Sequence, residues 1–272
     1  ASSAMSEPTL TRYQSHGVTL LGDITVPQGV ALAFTERTGG VSTGNYASLN
    51  LGSACGDDPS CVAENRRRAL CALGAERCMD ALVNPHQVHG DRIVTVRSSD
   101  ADAVHAAQAD AASGADAIVC TATNVPVLLC FADCVPVILV APGGFAVAHS
   151  GWRGTIARIS AKAAHALAEE TGSPVSQVRA YVGPHIGRED YEVSPELAAR
   201  FSAEFGPEVI WGERNLDLGA AVKAALMGAG VPSGSIACYG ASTASATERF
   251  FSYRAEHGSC GRHGALAVMP EE

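Results

Sequence analysis

Apolar residues along this chain recur in two rhythms. Short runs rich in β-branched residues read as strands at 18–26, 31–34, 93–96, 117–120, 125–132, 178–182, 236–239, 250–253 and 266–269. Between them the apolar positions return with a helical period. Asp58 as cap and Pro59 at the first position open a helix that buries Val62, Ala69, Leu70 and Leu73 and stops at Gly74. The stretch 155–170 turns Ile156, Ile159, Ala163, Ala166 and Leu167 to one face, leaving His165 among solvated residues on the other. Ser194-Pro195 starts a helix over Leu197, Phe201 and Phe205, and Asp217 caps one over Leu218, Val222, Ala225 and Leu226 that Gly230 ends. The Ala- and Asp-rich stretch 98–113 is weakly patterned and reads as a surface segment with a solvated His105. With no repeat, low-complexity tract or linker-like break, the pattern predicts a single α+β domain over 1–272, with 1–12 outside its ordered body.

Composition narrows the class. A chain of 272 residues, 47% hydrophobic and 17% charged, is long and apolar enough to bury a full core. The net charge is −9 and no basic block occurs, which argues against a nucleic-acid partner. No run approaches the roughly eighteen apolar residues of a membrane span, and no signal-peptide pattern is present. Nine cysteines, an odd number without framework spacing, point to a reducing cytoplasm, where Cys71 and Cys130 serve as buried filler. Oligomeric state is left open.

Chemistry concentrates in 131–155, FADCVPVILVAPGGFAVAHSGWRGT. Asp133 and Cys134 precede one apolar run, Pro142-Gly143-Gly144 turns the chain, and a second run ends on His149. Gly151-Trp152-Arg153-Gly154 then opens a helical pattern, so backbone N–H groups and Arg153 are offered to an anion. A flush hairpin centred between Gly143 and Gly144 leaves Cys134 and His149 out of register by about 13 Å at ~3.3 Å per residue. A kink near Pro136 or another strand order is needed to bring them together. Upstream, His86 and His89 are three apart beside Pro85 and Gly90. On a strand they face opposite ways, so one of the two fits a given pocket. One thiolate with two imidazoles suits zinc, or copper in some geometries, and leaves a fourth position open. Asp133 is a candidate to orient an imidazole or take a proton.

Taken together, Gln87-Val88-His89-Gly90, Ala132-Asp133-Cys134-Val135-Pro136-Val137 and His149-Ser150-Gly151-Trp152-Arg153-Gly154 resemble the signature of the YfiH, or laccase-domain, family. Arg37-Thr38-Gly39-Gly40-Val41-Ser42, Gly183-Pro184-His185-Ile186-Gly187 and Phe250-Phe251-Ser252-Tyr253-Arg254 follow in family order. The resemblance implies mixed β-sheets packed together with helices outside. It implies a metal, zinc or in some settings copper, held by His89, Cys134 and His149, and catalysis by these with Asp133. The implied reactions are phosphorolysis of adenosine, inosine or methylthioadenosine and deamination of adenosine. Purine nucleosides and phosphate are then the partners, with Arg37, Gln87, Arg153 and His185 as candidate substrate contacts. Copper-dependent polyphenol oxidation and peptidoglycan editing have also been attached to the family. Nine histidines without any His-x-His pair speak against several coppers. Three places depart from the pattern: Ser150 replaces the usual alanine, His185 stands where the family has a small residue, and Ser242-Thr243 stands where the family often has Cys-Thr.

Overall fold

The β-branched runs pair into two sheets, and the helical runs cover their outer faces. The computed structural model describes residues 6–271. The chain opens with strands β1 (Thr11–Ser15), β2 (Val18–Gly22) and β3 (Ala31–Thr35), then helix α1 (Pro59–Ala72). Next come β4 (Ile93–Val96), α2 (Ala101–Ala112), β5 (Ala117–Cys120), β6 (Val127–Phe131), β7 (Val135–Ala141) and β8 (Gly144–Ser150). The short α3 (Trp152–Ile156) and longer α4 (Ile159–Thr171) lead to β9 (Arg179–Val182) and α5 (Pro195–Phe205). A small ribbon, β10 (Ile210–Trp211) and β11 (Asn215–Leu216), precedes α6 (Leu218–Ala229), β12 (Ile236–Cys238) and β13 (His263–Val268).

The first sheet runs β1-β2-β3-β13-β6, antiparallel throughout. The second is mixed and runs β12-β9-β7-β8-β5-β4, with parallel pairs at its two edges. Alternation within β7 explains the layering. Val137, Leu139 and Ala141 face α4 and α6, while Ile138 and Val140 meet Leu32, Phe34 and Leu129 of the first sheet. The outer face of the first sheet, Leu20, Leu128 and Leu266, packs on Ala69 and Leu70 of α1. Four layers result, helix, sheet, sheet, helix, and β7 and β8 are buried on both faces. This is the α+β arrangement of packed mixed sheets with outer helices expected from the sequence.

Helix starts follow their caps. Asp58, Ser194 and Asp217 accept from the backbone N–H of Ser60, Leu197 and Ala220 at 2.9, 3.2 and 2.9 Å. Four expectations need correction. The weakly patterned 98–113 stretch contains α2, whose Val104 and Ala111 enter the core between alanines that carried little signal. The helix expected over 155–170 is broken at Arg158, which takes a left-handed φ of 60° between α3 and α4. Residues 250–253 form no strand, because their backbone N–H groups go to Ala246 O, the His263 side chain and Ala132 O rather than to the backbone ladder of a neighbouring strand. Thr11 and Arg12, inside the 1–12 stretch expected outside the ordered body, belong to β1, while 1–5 lie outside the described residues.

Candidate active site

The site grows from one register. β5 pairs with β8 as Ala117↔Ala148, so one step further Asp116 stands opposite His149. The Asp116 backbone carbonyl accepts from His149 N at 2.8 Å, and its side chain accepts from His149 Nδ1 at 2.7 Å. Asp116 is fully buried, and it also accepts from the backbone N–H groups of Val88, His89 and Gly90 at 3.0, 3.0 and 2.9 Å. One carboxylate therefore positions both imidazoles: it grips His149 directly, and it anchors the loop that carries His89. Burial pushes the Asp116 carboxyl up, but His149 and these N–H groups outweigh it and hold it below the usual range. An ionised carboxylate only accepts, so His149 Nδ1 carries the proton and Nε2 is left for the cavity.

The hairpin delivers the thiol. β7 and β8 pair as Pro136↔His149 and Ala141↔Gly144, two residues closer than the flush pairing considered from sequence. Cys134 then sits just before β7, facing Gly151, after Asp133 turns the chain through a left-handed φ of 106°. The ligand atoms of His89, Cys134 and His149 all lie within 4.8 Å of one another, and the two imidazole rings meet edge-on at 4.9 Å. Gly151 makes this possible: a Cβ there would fall 3.0 Å from Cys134 Sγ and 3.4 Å from His89 Cδ2. Gly151→Ala is accordingly expected to cost about 1–3 kcal/mol of stability by overpacking, read from a denaturant melt, and to weaken metal binding.

Charge is matched across the cluster. Burial pushes the Cys134 thiol up, but the charge of His149 and hydrogen bonds with His149 and His89 bring it down to about 6. Burial pushes His149 down, and Cys134 and Asp116 raise it to about 9. The thiolate that a metal requires is thus favoured before any metal arrives.

These groups open into a cavity of about 840 Å³. The other expected residues divide around it. Arg153 lines the cavity and stacks over Trp152 at 4.5 Å, with no hydrogen-bond acceptor among the described residues. Its helix, α3, has only five residues, so the dipole expected from a long helix at this point is not available. Gln87 also lines the cavity, but both ends of its amide bond the Cys130 backbone at 2.8 Å, which ties the His89 loop to β6. Asp133 is a wall residue whose carboxylate accepts from Thr243, Ser252 and Arg254 N at 2.8, 2.7 and 2.7 Å. The orienting of an imidazole falls to Asp116 instead.

Two candidates are placed elsewhere. Arg37 is absent from the cavity wall. Its guanidinium reaches Ala47 O at 2.8 Å, Thr247 O at 2.8 Å and Glu256 at 2.5 Å, and stacks on Phe251 at 4.1 Å, so it braces loops. His185 also lies off the wall: its Nδ1 bonds Gly183 O at 2.8 Å, and Gly219 of α6 has no room for a side chain beside its Nε2. His86 lines the cavity outside the three-donor group. The segment holding His86 and His89 is a loop rather than a strand, and His89, itself exposed, has a left-handed φ of 62°. Sequence reasoning missed Asp116 altogether, although a lone carboxylate inside the fully buried run 115–120 was the available signal.

Residues 31–270 match the profile of the family described as multi-copper polyphenol oxidoreductase laccase. A purine nucleoside phosphorylase of Deinococcus radiodurans is 38% identical over 243 residues, spanning 88% of each chain. An adenosine deaminase from an unidentified prokaryote is 34% identical over 218 residues, 75% of this chain and 80% of that one. Among solved structures, YlmD of Geobacillus stearothermophilus superposes with a TM-score of 0.83 at 30% identity, over 98% of this chain and 100% of that one. YfiH of Bacillus licheniformis gives the same score and identity over 92% and 96%. By profile, by sequence and by fold, the chain belongs to the YfiH, or laccase-domain, family.

Proposed function

We propose that the chain is a zinc-dependent purine nucleoside enzyme that phosphorolyses adenosine, inosine or methylthioadenosine and deaminates adenosine. The observation that carries the metal is the convergence of His89, Cys134 and His149, with donor atoms within 4.8 Å and one imidazole held by a buried carboxylate. A thiolate with two imidazoles suits zinc, or copper as its competitor, and three protein ligands leave one position open. The names of the relatives, purine nucleoside phosphorylase and adenosine deaminase, support the nucleoside part. A zinc ion bound there supplies Lewis acidity at that open position. The chain's own residues would do the rest: Asp116 keeps the His149 proton on Nδ1, Gln87 holds the His89 loop, and the cavity binds and orients the nucleoside.

In phosphorolysis a phosphate oxygen bonds to the anomeric carbon as the glycosidic C–N bond breaks, and the purine leaves with that electron pair and a proton. In deamination water adds at the amino-bearing carbon and ammonia leaves. A multi-copper oxidase needs several copper centres, whereas the described residues offer one three-donor group. Nine free cysteines fit the reducing cytoplasm in which we place the enzyme.

Arg153 separates the two reactions. Exposed on the wall without an acceptor, it is our contact for the phosphate nucleophile. Losing one charge-assisted hydrogen bond costs about 1.5–3 kcal/mol, roughly ten- to a hundredfold. Arg153→Ala is expected to depress inosine phosphorolysis by that factor, mainly through weaker phosphate saturation, and adenosine deamination much less. Equal losses in both assays with unchanged phosphate dependence would remove Arg153 from the anion site.

A further inference from the structure

Carboxylates neutralise arginines over most of this protein but not around the cavity. Among the described residues, ten arginines are ion-paired to Asp or Glu, Arg37 and Arg249 among them. The four that line the cavity, Arg66, Arg153, Arg254 and Arg262, are in none of these pairs. Among the described residues Asp133 is the one carboxylate in the lining, and its oxygens already accept from Thr243, Ser252 and the Arg254 backbone. In a chain of net charge −9, this local excess of cations is a feature of the cavity.

Arg66 and Arg262 stand out because both are held by the segment Asn50-Leu51. Arg66, on α1, donates from Nε to Leu51 O at 3.0 Å and from Nη2 to Asn84 Oδ1 at 3.0 Å. Arg262, just before β13, donates its backbone N–H to Asn50 Oδ1 at 2.8 Å, and its carbonyl accepts from Leu51 N at 2.9 Å. Its Nη1 bonds the carbonyls of Cys260 and Gly261, each at 2.9 Å. Both thus grip the same short segment, and both act electrostatically on the Cys130 thiol. Gly52 is tight against Arg262: a Cβ there would meet Arg262 Cγ at 2.7 Å. Arg66 Nη1 and Arg262 Nε and Nη2 keep no acceptor among the described residues.

Two like charges on one cavity wall, with no lining carboxylate left free to neutralise them, are stabilised by a bound anion. Their planar forks match the oxygens of a phosphate group. We propose that Arg66 and Arg262 form a phosphate-binding subsite of the cavity, separate from Arg153 on α3. It takes either a phosphate group carried on a nucleoside or the free ion; the nucleoside part of this rests on the function proposed above.

The test is isothermal titration of the zinc-loaded protein with adenosine 5′-monophosphate, inorganic phosphate and adenosine, using wild type, Arg262→Gln, Arg262→Lys and Arg66→Gln. The expected result is a loss of about ten- to a hundredfold in affinity for a phosphate-bearing ligand in each Gln variant. Adenosine should weaken far less, and Arg262→Lys should fall between. A loss confined to the monophosphate identifies a phosphorylated nucleoside as the ligand, and a loss for inorganic phosphate identifies the free ion. Wild type binding neither phosphate ligand, or variants binding them as wild type does, would overturn the subsite. Arg66 also braces Leu51 and Asn84, so if Arg66→Gln melts early, Arg262→Gln alone decides. The two phosphate ligands are read without turnover, and adenosine is titrated in the Cys134→Ala background, so a protein that binds phosphate yet turns over no nucleoside refutes the proposed function and leaves the subsite standing.

Discussion

Cys134→Ala is expected to lose bound zinc and turnover together while keeping its circular-dichroism spectrum and a cooperative melt. Removing a partner outside the ligand set of a metal site costs roughly 10- to 100-fold in affinity or activity, and removing a ligand should cost more. The fold is another matter. The two largest core clusters lie on either face of the second sheet, a third lies under α1, and Cys134 packs at the edge of one of them, before β7 begins. A domain of this length does not depend on one ion for its core. Retained activity would contradict the ligand assignment, and global unfolding would contradict the independence of the fold.

Asp116→Ala should be the more damaging change to stability. It strips the acceptor from His149 Nδ1 and from three backbone N–H groups at one buried point. Breaking a buried charged pair by removing one partner costs about 3–5 kcal/mol. Asp116→Asn keeps the shape and part of the acceptor capacity, so it should melt closer to wild type. It should still lose roughly 10- to 100-fold in metal affinity, because the proton on His149 Nδ1 is no longer fixed by a carboxylate. Chemical denaturation of both variants, with zinc affinity from a competing chelator, checks this. An Asn variant with wild-type zinc affinity would reduce Asp116 to a structural brace.

How far the sequence carried the reading depended on whether a signal was local. Helix starts with a capping side chain, such as Asp58-Pro59 and Ser194-Pro195, were legible because the cap acts within one turn. The strand runs were legible because β7 and β8 are apolar on both faces. α2 was not, since alanines carry helix propensity but little hydrophobic contrast. The three metal candidates were found through their motifs. Their meeting could not be computed from spacing, because it turns on a two-residue hairpin register and on left-handed residues at Asp133 and His89. Arg37 and Arg153 looked alike as lone arginines in glycine-flanked loops. Which one is spent on Glu256 and which is left on the cavity wall is a long-range fact, set by a partner 219 residues away. Asp116 was hidden for the same reason: its chemistry lies in what β8 and the His89 loop bring to it.

The most direct measurement is product analysis on the metal-loaded protein given inosine with phosphate, and adenosine with and without it. The expected products are hypoxanthine with ribose 1-phosphate from inosine, inosine from adenosine, and adenine with ribose 1-phosphate from adenosine only when phosphate is present, all lost in Cys134→Ala. No purine product from either nucleoside, alongside oxidation of a phenolic substrate dependent on bound copper, would contradict it.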